Sequence, residues 1–239
     1  MNTAPKTLTQ LSLPGQTHMA DGPHDQTGMY VMHFAFRRDL DDFVAAARQT
    51  PVGEAPVWRA LLSRWEDFAG TLHHHHTVED EAFWPVLLAH ATNEGSATDR
   101  EMLEAMESEH AVIDPELAAC HEGFRSMVDH PCADHRNALD VRLTGLRAAL
   151  LDHLRHEETE ALPMLQRTMT SEEYAGCERA AAKGYPLRTV PFMVPWVLKE
   201  LPEDGRRRMY ELAGNGYRIV DLLVRRRFTR RERLAFRCV

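Results

Sequence analysis

Residues 71–85 read TLHHHHTVEDEAFWP and residues 150–163 read LLDHLRHEETEALP. Laid over each other at an offset of 78, they match His75 to His153, Glu79 to Glu157 and Pro85 to Pro163. The match runs backward as well. Leu61, Trp65, Phe68, Leu72, His75 and Glu79 advance in steps of 4, 3, 4, 3 and 4, and Leu139, Leu143, Leu146, Leu150, His153 and Glu157 advance in the same steps. These steps average 3.6 residues, the pitch of an α-helix, so each set is one face of its helix. Upstream of each lies a second matched pair at an offset of 77: Met29, His33, Phe36, Leu40 and Phe43 against Met106, His110, Ile113, Leu117 and Cys120. The chain therefore repeats a two-helix unit.

This pattern predicts helices over about 28–49, 56–91, 98–129 and 136–168. Nothing alternates with period two over a useful length, so no strand is expected. The connections QTPVGEAP, ATNEGSAT and DHPCADH are short, as antiparallel neighbours require. The expected fold is all-α, an up-and-down four-helix bundle over residues 28–168 with additional helices in a C-terminal extension, residues 169–239. Residues 1–27, rich in Thr, Pro, Gly and Gln, read as a poorly ordered arm. In the extension, Thr170 and Glu173 have capping-box spacing and should open a fifth helix. A proline-rich stretch, YPLRTVPFMVPWVL, then precedes a last helix from about Arg206.

Composition narrows the function classes. Hydrophobic residues make up 44% and charged residues 27%, which reads as a soluble globular chain. The opening shows no basic segment followed by an apolar one, so no signal peptide is expected, and FMVPWVL is too short to span a bilayer. Cys120, Cys132, Cys177 and Cys238 form no C-x-x-C pair, which argues against a disulfide framework or a zinc–thiolate site and for a reducing cytoplasm. The net charge of −8 hides an asymmetry: residues 186–239 hold 13 Lys+Arg against 6 Asp+Glu, leaving residues 1–185 at −15. The basic run RRRFTRRER reads as a solvated helix face paired with the acidic part of the chain rather than as a nucleic-acid contact. No G-x-S-x-G and no glycine-rich phosphate loop occurs.

The chemistry lies in the stripes. A lone histidine on an apolar face is ordinarily structural, but a glutamate one turn further on the same buried face needs a cation or a donor network beside it. His and Glu at i and i+4 can reach a common ion. With the partner helices added, six side chains converge: His33, His75, Glu79, His110, His153 and Glu157. Four imidazoles and two carboxylates without thiolate fit non-haem iron, or manganese, better than structural zinc. Two ions bridged by the two glutamates would use all six and keep open positions. Of the other histidines, His73 and His74 fall on polar faces and His76 flanks the stripe; His76 is an open candidate for an extra ligand, and His74 a further one. Asp114, four residues after His110, is another. His156 and Glu158, with Asp80, are candidates for orienting a ligand from outside, and Tyr30, one turn before His33, could place a phenol at the pocket.

The segments MHFAFRRDL, HTVEDEAFWP with His75 ahead of it, EHAVIDPEL and HLRHEETEALP resemble the hemerythrin-like, HHE cation-binding domain over about residues 28–168. The resemblance implies a four-helix bundle holding an oxo- or hydroxo-bridged di-iron centre that binds dioxygen, peroxide or nitric oxide, for sensing, storage or detoxification. An enzymatic role, peroxidase- or catalase-like or ferroxidase, is the alternative. A third reading makes the bundle a sensor that signals to a protein partner through the basic C-terminal helix. The chain departs from the respiratory oxygen carriers in having Asp114 where they carry a second histidine of the third helix, in Glu157 at i+4 from His153, and in its C-terminal extension.

Overall fold

The computed structural model of the chain describes residues 7–184 and 187–239. Its helices are α1 (Thr27–Gln49), α2 (Ala55–Val78), α3 (Trp84–Glu94), α4 (Ala97–Asp129), α5 (Ala133–His156), α6 (Leu162–Thr168), α7 (Ser171–Gly184), α8 (Val190–Leu198) and α9 (Glu203–Ala235). No strand occurs among the described residues, and no helix is long and apolar enough to cross a membrane. The fold is the expected helical bundle: α1 packs along α5, α2 along α4, and α4 along α5.

The repeat governs the core. All six members of the α2 stripe and all six of the α5 stripe are buried, as are His33, Phe36, Leu40 and Phe43 on α1 and all five matched positions of α4. At the end of the bundle away from the histidines, Phe43, Trp65, Phe68 and Phe124 pack with ring centroids 5.0–5.7 Å apart. Each such ring, fully withdrawn from water, stabilises the fold by roughly 1.5–3 kcal/mol.

Periodicity alone does not reveal what happens at the two glutamates. Glu79–Phe83 and Glu157–Ala161 are π-helical turns joining α2 to α3 and α5 to α6, with Trp84 N–H bonded to the Glu79 carbonyl and Leu162 N–H to that of Glu157. The cause lies in Pro85 and Pro163. Each lacks an N–H, and in a regular helix its ring would press on the carbonyl four residues back; a widened turn just before it relieves the clash. The prolines thus mark a change of register within one long helix. Consecutive residues of a regular helix lie 100° apart, yet Glu157 and Glu158 are both fully buried.

The ends of the chain close over this bundle. Where an arm was expected, residues 7–26 fold back as a loop: Leu8 and Gly22 form an antiparallel bridge, and Leu11, Leu13 and Ala20 are buried. Residues 1–6 of that expectation lie outside the described residues. The difference has a physical cause in polar anchoring that composition does not show. Thr17 N–H donates to Glu158 (2.7 Å), Ala20 N–H to the Tyr30 hydroxyl (2.8 Å), and Gln10 Nε2 to the His24 carbonyl (2.9 Å).

In the extension, the Thr170–Glu173 capping box forms as predicted, Thr170 N–H donating to Glu173 at 2.8 Å. The proline-rich stretch is helical from Val190; Tyr185 and Pro186, where it begins, lie outside the described residues. Pro191 sits in the first turn of α8, where a missing N–H is harmless. Helix α9 starts a few residues before Arg206 and bends at Gly214, whose φ of 75° a side chain would resist.

The extension shares the bundle's core. Trp196 is fully buried with its ring 5.4 Å from Phe36. Its indole N–H donates to buried Asp39 at 2.7 Å. Arg38 and Arg64 pair with the same carboxylate, and Arg64 Nε reaches Glu232 of α9 at 2.5 Å.

Candidate metal centre

The six stripe residues meet at one level of the bundle, two helical turns above the aromatic layer. His33 Nε2 lies 3.1 Å from Glu157 Oε2, His75 Nε2 lies 3.0 Å from Glu79 Oε1, and His110 Nε2 lies 3.5 Å from Glu79 Oε2 and 3.2 Å from His153 Nε2. Two donor groups result: His33, His75, Glu79 and Glu157 in one, and His76, His110 and His153 in the other. Within each, the potential ligand atoms all lie within 4.8 Å of one another. Glu79 faces both, one oxygen toward each.

The outward sides of the rings are held. His33 Nδ1–H donates to Glu158 at 3.0 Å, His110 Nδ1–H to Asp80 at 2.9 Å and His153 Nδ1–H to Glu109 at 2.8 Å. An imidazole that donates from Nδ1 leaves Nε2 with a lone pair facing inward, the arrangement that orients a metal ligand. The pattern crosses between the halves of the repeat: the acid after Glu79 holds the histidine of α4, and the acid after Glu157 holds that of α1.

These residues fit a cation. His33 Nε2, His75 Nε2, both nitrogens of His76 and all four oxygens of Glu79 and Glu157 are buried without a well-directed hydrogen bond, although His33 Nε2 and His75 Nε2 lie within 3.1 Å of carboxylate oxygens. His110 and His153 turn two lone pairs toward each other across 3.2 Å. Buried polar atoms are ordinarily satisfied, and a cluster of orphans with converging lone pairs is what bound cations resolve.

Electrostatics point the same way. Burial opposes ionisation of Glu157, but the charge and hydrogen bond of His33 reverse it and hold the carboxyl at about 2. Burial, the Glu157 charge and Asp80 push Glu79 well above its usual range. Burial works against a charged His33, but Glu157 and Glu158 lift it to about 9, so in the metal-free chain the ring carries a proton that a cation would displace to free Nε2. Burial lowers His75, His76 and His110, His76 to about 4, so these rings are neutral and available for coordination.

The remaining candidates separate clearly. His76 is buried and stacked on His110 at 4.1 Å and 8°, inside the second donor group. Its ring is placed by that tertiary stack, which helical spacing on α2 does not reveal. Asp114 stands outside, half exposed, with its oxygens 3.0 Å from His73 Nδ1 and 3.6 Å from His76 Nδ1. His73 is 65% exposed, on the surface as expected, and His74 is partly exposed beside the Ala181 backbone. His156 shares Glu109 with His153, each Nδ1 2.8 Å from one carboxylate oxygen. Glu158 binds His33, Arg37 and the Thr17 amide. The Tyr30 hydroxyl is engaged with Ala20 and Gln26 rather than with the cluster.

Two contributors escaped the sequence reading. Glu109 lies beside His110 but off the stripe, and Arg37, one turn after His33, neutralises Glu158. A charged residue one turn from a stripe histidine, or next to it, was the available signal.

A helical bundle that gathers imidazoles and carboxylates into two adjoining buried groups defines a cation-binding four-helix protein. Residues 26–165 match the family described as the hemerythrin HHE cation binding domain, more than half of the chain, and the protein belongs to that family. No curated protein and no solved structure matches the chain significantly.

Proposed function

We propose that this chain is a non-haem di-iron protein that binds dioxygen, peroxide or nitric oxide, with manganese as the alternative metal. The observation that carries the reading is Glu79, a buried carboxylate with one oxygen toward each donor group. His33, His75, Glu79 and Glu157 would hold one ion and His76, His110 and His153, with Glu79 between, the other. Two ferrous ions so held would supply one electron each to a small bound ligand. Glu158, Asp80 and Glu109 fix the imidazole orientations through Nδ1. Phe36, its ring 5.2 Å from His75, excludes water from that side. Anaerobic titration with Fe(II) should give close to two irons per chain, with near-UV absorption growing on exposure to oxygen. A stoichiometry near zero or one overturns the reading.

An enzymatic role, peroxide decomposition or ferroxidase activity, is supported by one further observation: a cavity reaches His75 and Glu79 from the surface. Steady-state turnover of peroxide that vanishes in Glu79→Ala and Glu157→Ala would favour it over binding alone. A signalling role for the C-terminal extension has less support, because Trp196 and Phe228 belong to the bundle's own core.

A further inference from the structure

The cavity above the centre is larger than a diatomic ligand needs. It measures about 170 Å³ and is roofed by the extension: Tyr174, Glu178 and Ala181 of α7 and Met193 of α8 face α1 and the first π turn across it. Its inner end is formed by His75 and Glu79, both buried, and its outer end by Glu178, which is exposed. A water molecule's share of liquid is about 30 Å³, and an apolar cavity of about 150 Å³ is known to accept benzene. The space therefore matches one six-membered ring.

The lining selects the chemistry. Met29, Met32, Phe83, Leu162, Leu165 and Met193 supply the walls, and methionine side chains adapt to flat, irregular ligands. Glu178 at the mouth disfavours an anion in the metal-free chain, and walls of methionine, leucine and phenylalanine favour an uncharged ring over an ion. We propose that this cavity is a binding site for a small, uncharged, single-ring organic molecule of the phenol class, which would lie with its ring among the methionines and its polar group toward His75 and Glu79. The proposal deepens the reading above by naming a second ligand for the same centre, and it rests on that reading only for what the polar group meets.

Gly28 makes the site testable without disturbing the fold. It lines the cavity in the first turn of α1, and a Cβ built on it meets nothing within 4 Å. Leucine there fills space and also favours the helix over glycine. Ala181→Leu fills from the opposite wall.

The experiment uses the full chain, metal-free and iron-loaded, with phenol and benzoate as probes. Ligand-observed NMR titration gives affinity, and iron per chain is measured on the same samples. Saturable phenol binding with a dissociation constant of about 1 mM or tighter is expected. Binding should be at least about tenfold weaker in Gly28→Leu and in Ala181→Leu, and in the metal-free chain benzoate should bind at least about tenfold more weakly than phenol, with iron content of the loaded variants unchanged. No saturable binding by the wild type, or binding that both variants leave intact, overturns the proposal. Phenol bound with fewer than two irons per chain would instead remove the di-iron reading and leave the cavity as a ligand site.

Discussion

Replacing Asp39 by Asn tests how the extension is tied to the centre. Asp39 is fully buried; one oxygen takes both Nε (3.1 Å) and Nη2 (2.8 Å) of Arg38, and the other takes Arg64 and the Trp196 indole. Burial alone would raise this carboxyl, but Arg64, Arg38 and Lys199 pull it from 3.8 to about 2. At 1.36 kcal/mol per unit, that depression corresponds to about 2 kcal/mol of stability at neutral pH. Asn keeps the shape but turns an NH2 toward donors and leaves buried Arg64 with Glu232 alone. Breaking one partner from a buried pair costs about 3–5 kcal/mol, so the expected loss lies between about 2 and 5 kcal/mol. For a chain of this size each kcal/mol moves the melting temperature by about 2–4 °C. Denaturant unfolding of the metal-free protein, followed by circular dichroism and tryptophan emission, measures it. A folded pKa below the unfolded one means that the stabilisation is complete above about pH 4 and drains as pH falls toward 2. The gap between wild type and variant should therefore narrow over that interval. A loss below about 1 kcal/mol at pH 7, or a gap that stays constant on acidification, refutes the account.

The other predictions concern the centre itself. Glu79→Gln should lower bound iron below two per chain while raising the melting temperature of the metal-free protein at pH 8. Glu79's folded pKa is raised, so its ionisation destabilises the metal-free fold above the carboxyl's usual value of 4.5, and the variant's advantage should shrink as pH falls to that value. His76→Leu should reduce iron toward one per chain, while His73→Ala and His74→Ala leave it at two; metal analysis of protein purified without an affinity column decides. Glu109→Gln keeps the shape but removes the carboxylate that both His153 and His156 use, and should weaken metal binding by about 10–100-fold in a chelator competition.

Much of this centre was legible before any coordinates. A stripe repeating at 3.6 residues reports which side chains share a face, and that was enough to expect the six stripe residues together and to place the first four helical segments of the chain. Three things were not legible, for distinct reasons. His76 lies 100° from His75 around α2, at the edge of the stripe, and only its stack on His110 of another helix turns it inward. The expected helices run through Pro85 and Pro163, but the widened turn before each proline shifts the register, and a period of 3.6 averaged along the segment does not report it. The loop at 7–26 is held by backbone amides on Glu158 and Tyr30, contacts carried by no composition or period.

The repeat also carries two breaks that bear on what the centre can do. At the offset of 78 the counterpart of His76 is Leu154, and at 77 the counterpart of Arg37 is Asp114. The first break gives the α4 side an imidazole that its mate lacks. The second puts a cation behind Glu158, 2.8 Å away, where the other half has a carboxylate facing His76 and His73. One donor group is therefore built on two buried carboxylates with an arginine behind them, and the other on three buried imidazoles with acids at its rim. Two ions in such surroundings would not be equivalent. The all-imidazole group stabilises positive charge less than the carboxylate group does, so its ion would be the more weakly held and the easier to keep reduced. That asymmetry favours a centre whose two metals play different parts over one that serves only as a symmetric clamp. The cavity opens on His75 and Glu79, on the carboxylate side, so with both ions bound a ligand entering there would meet the more tightly held one first.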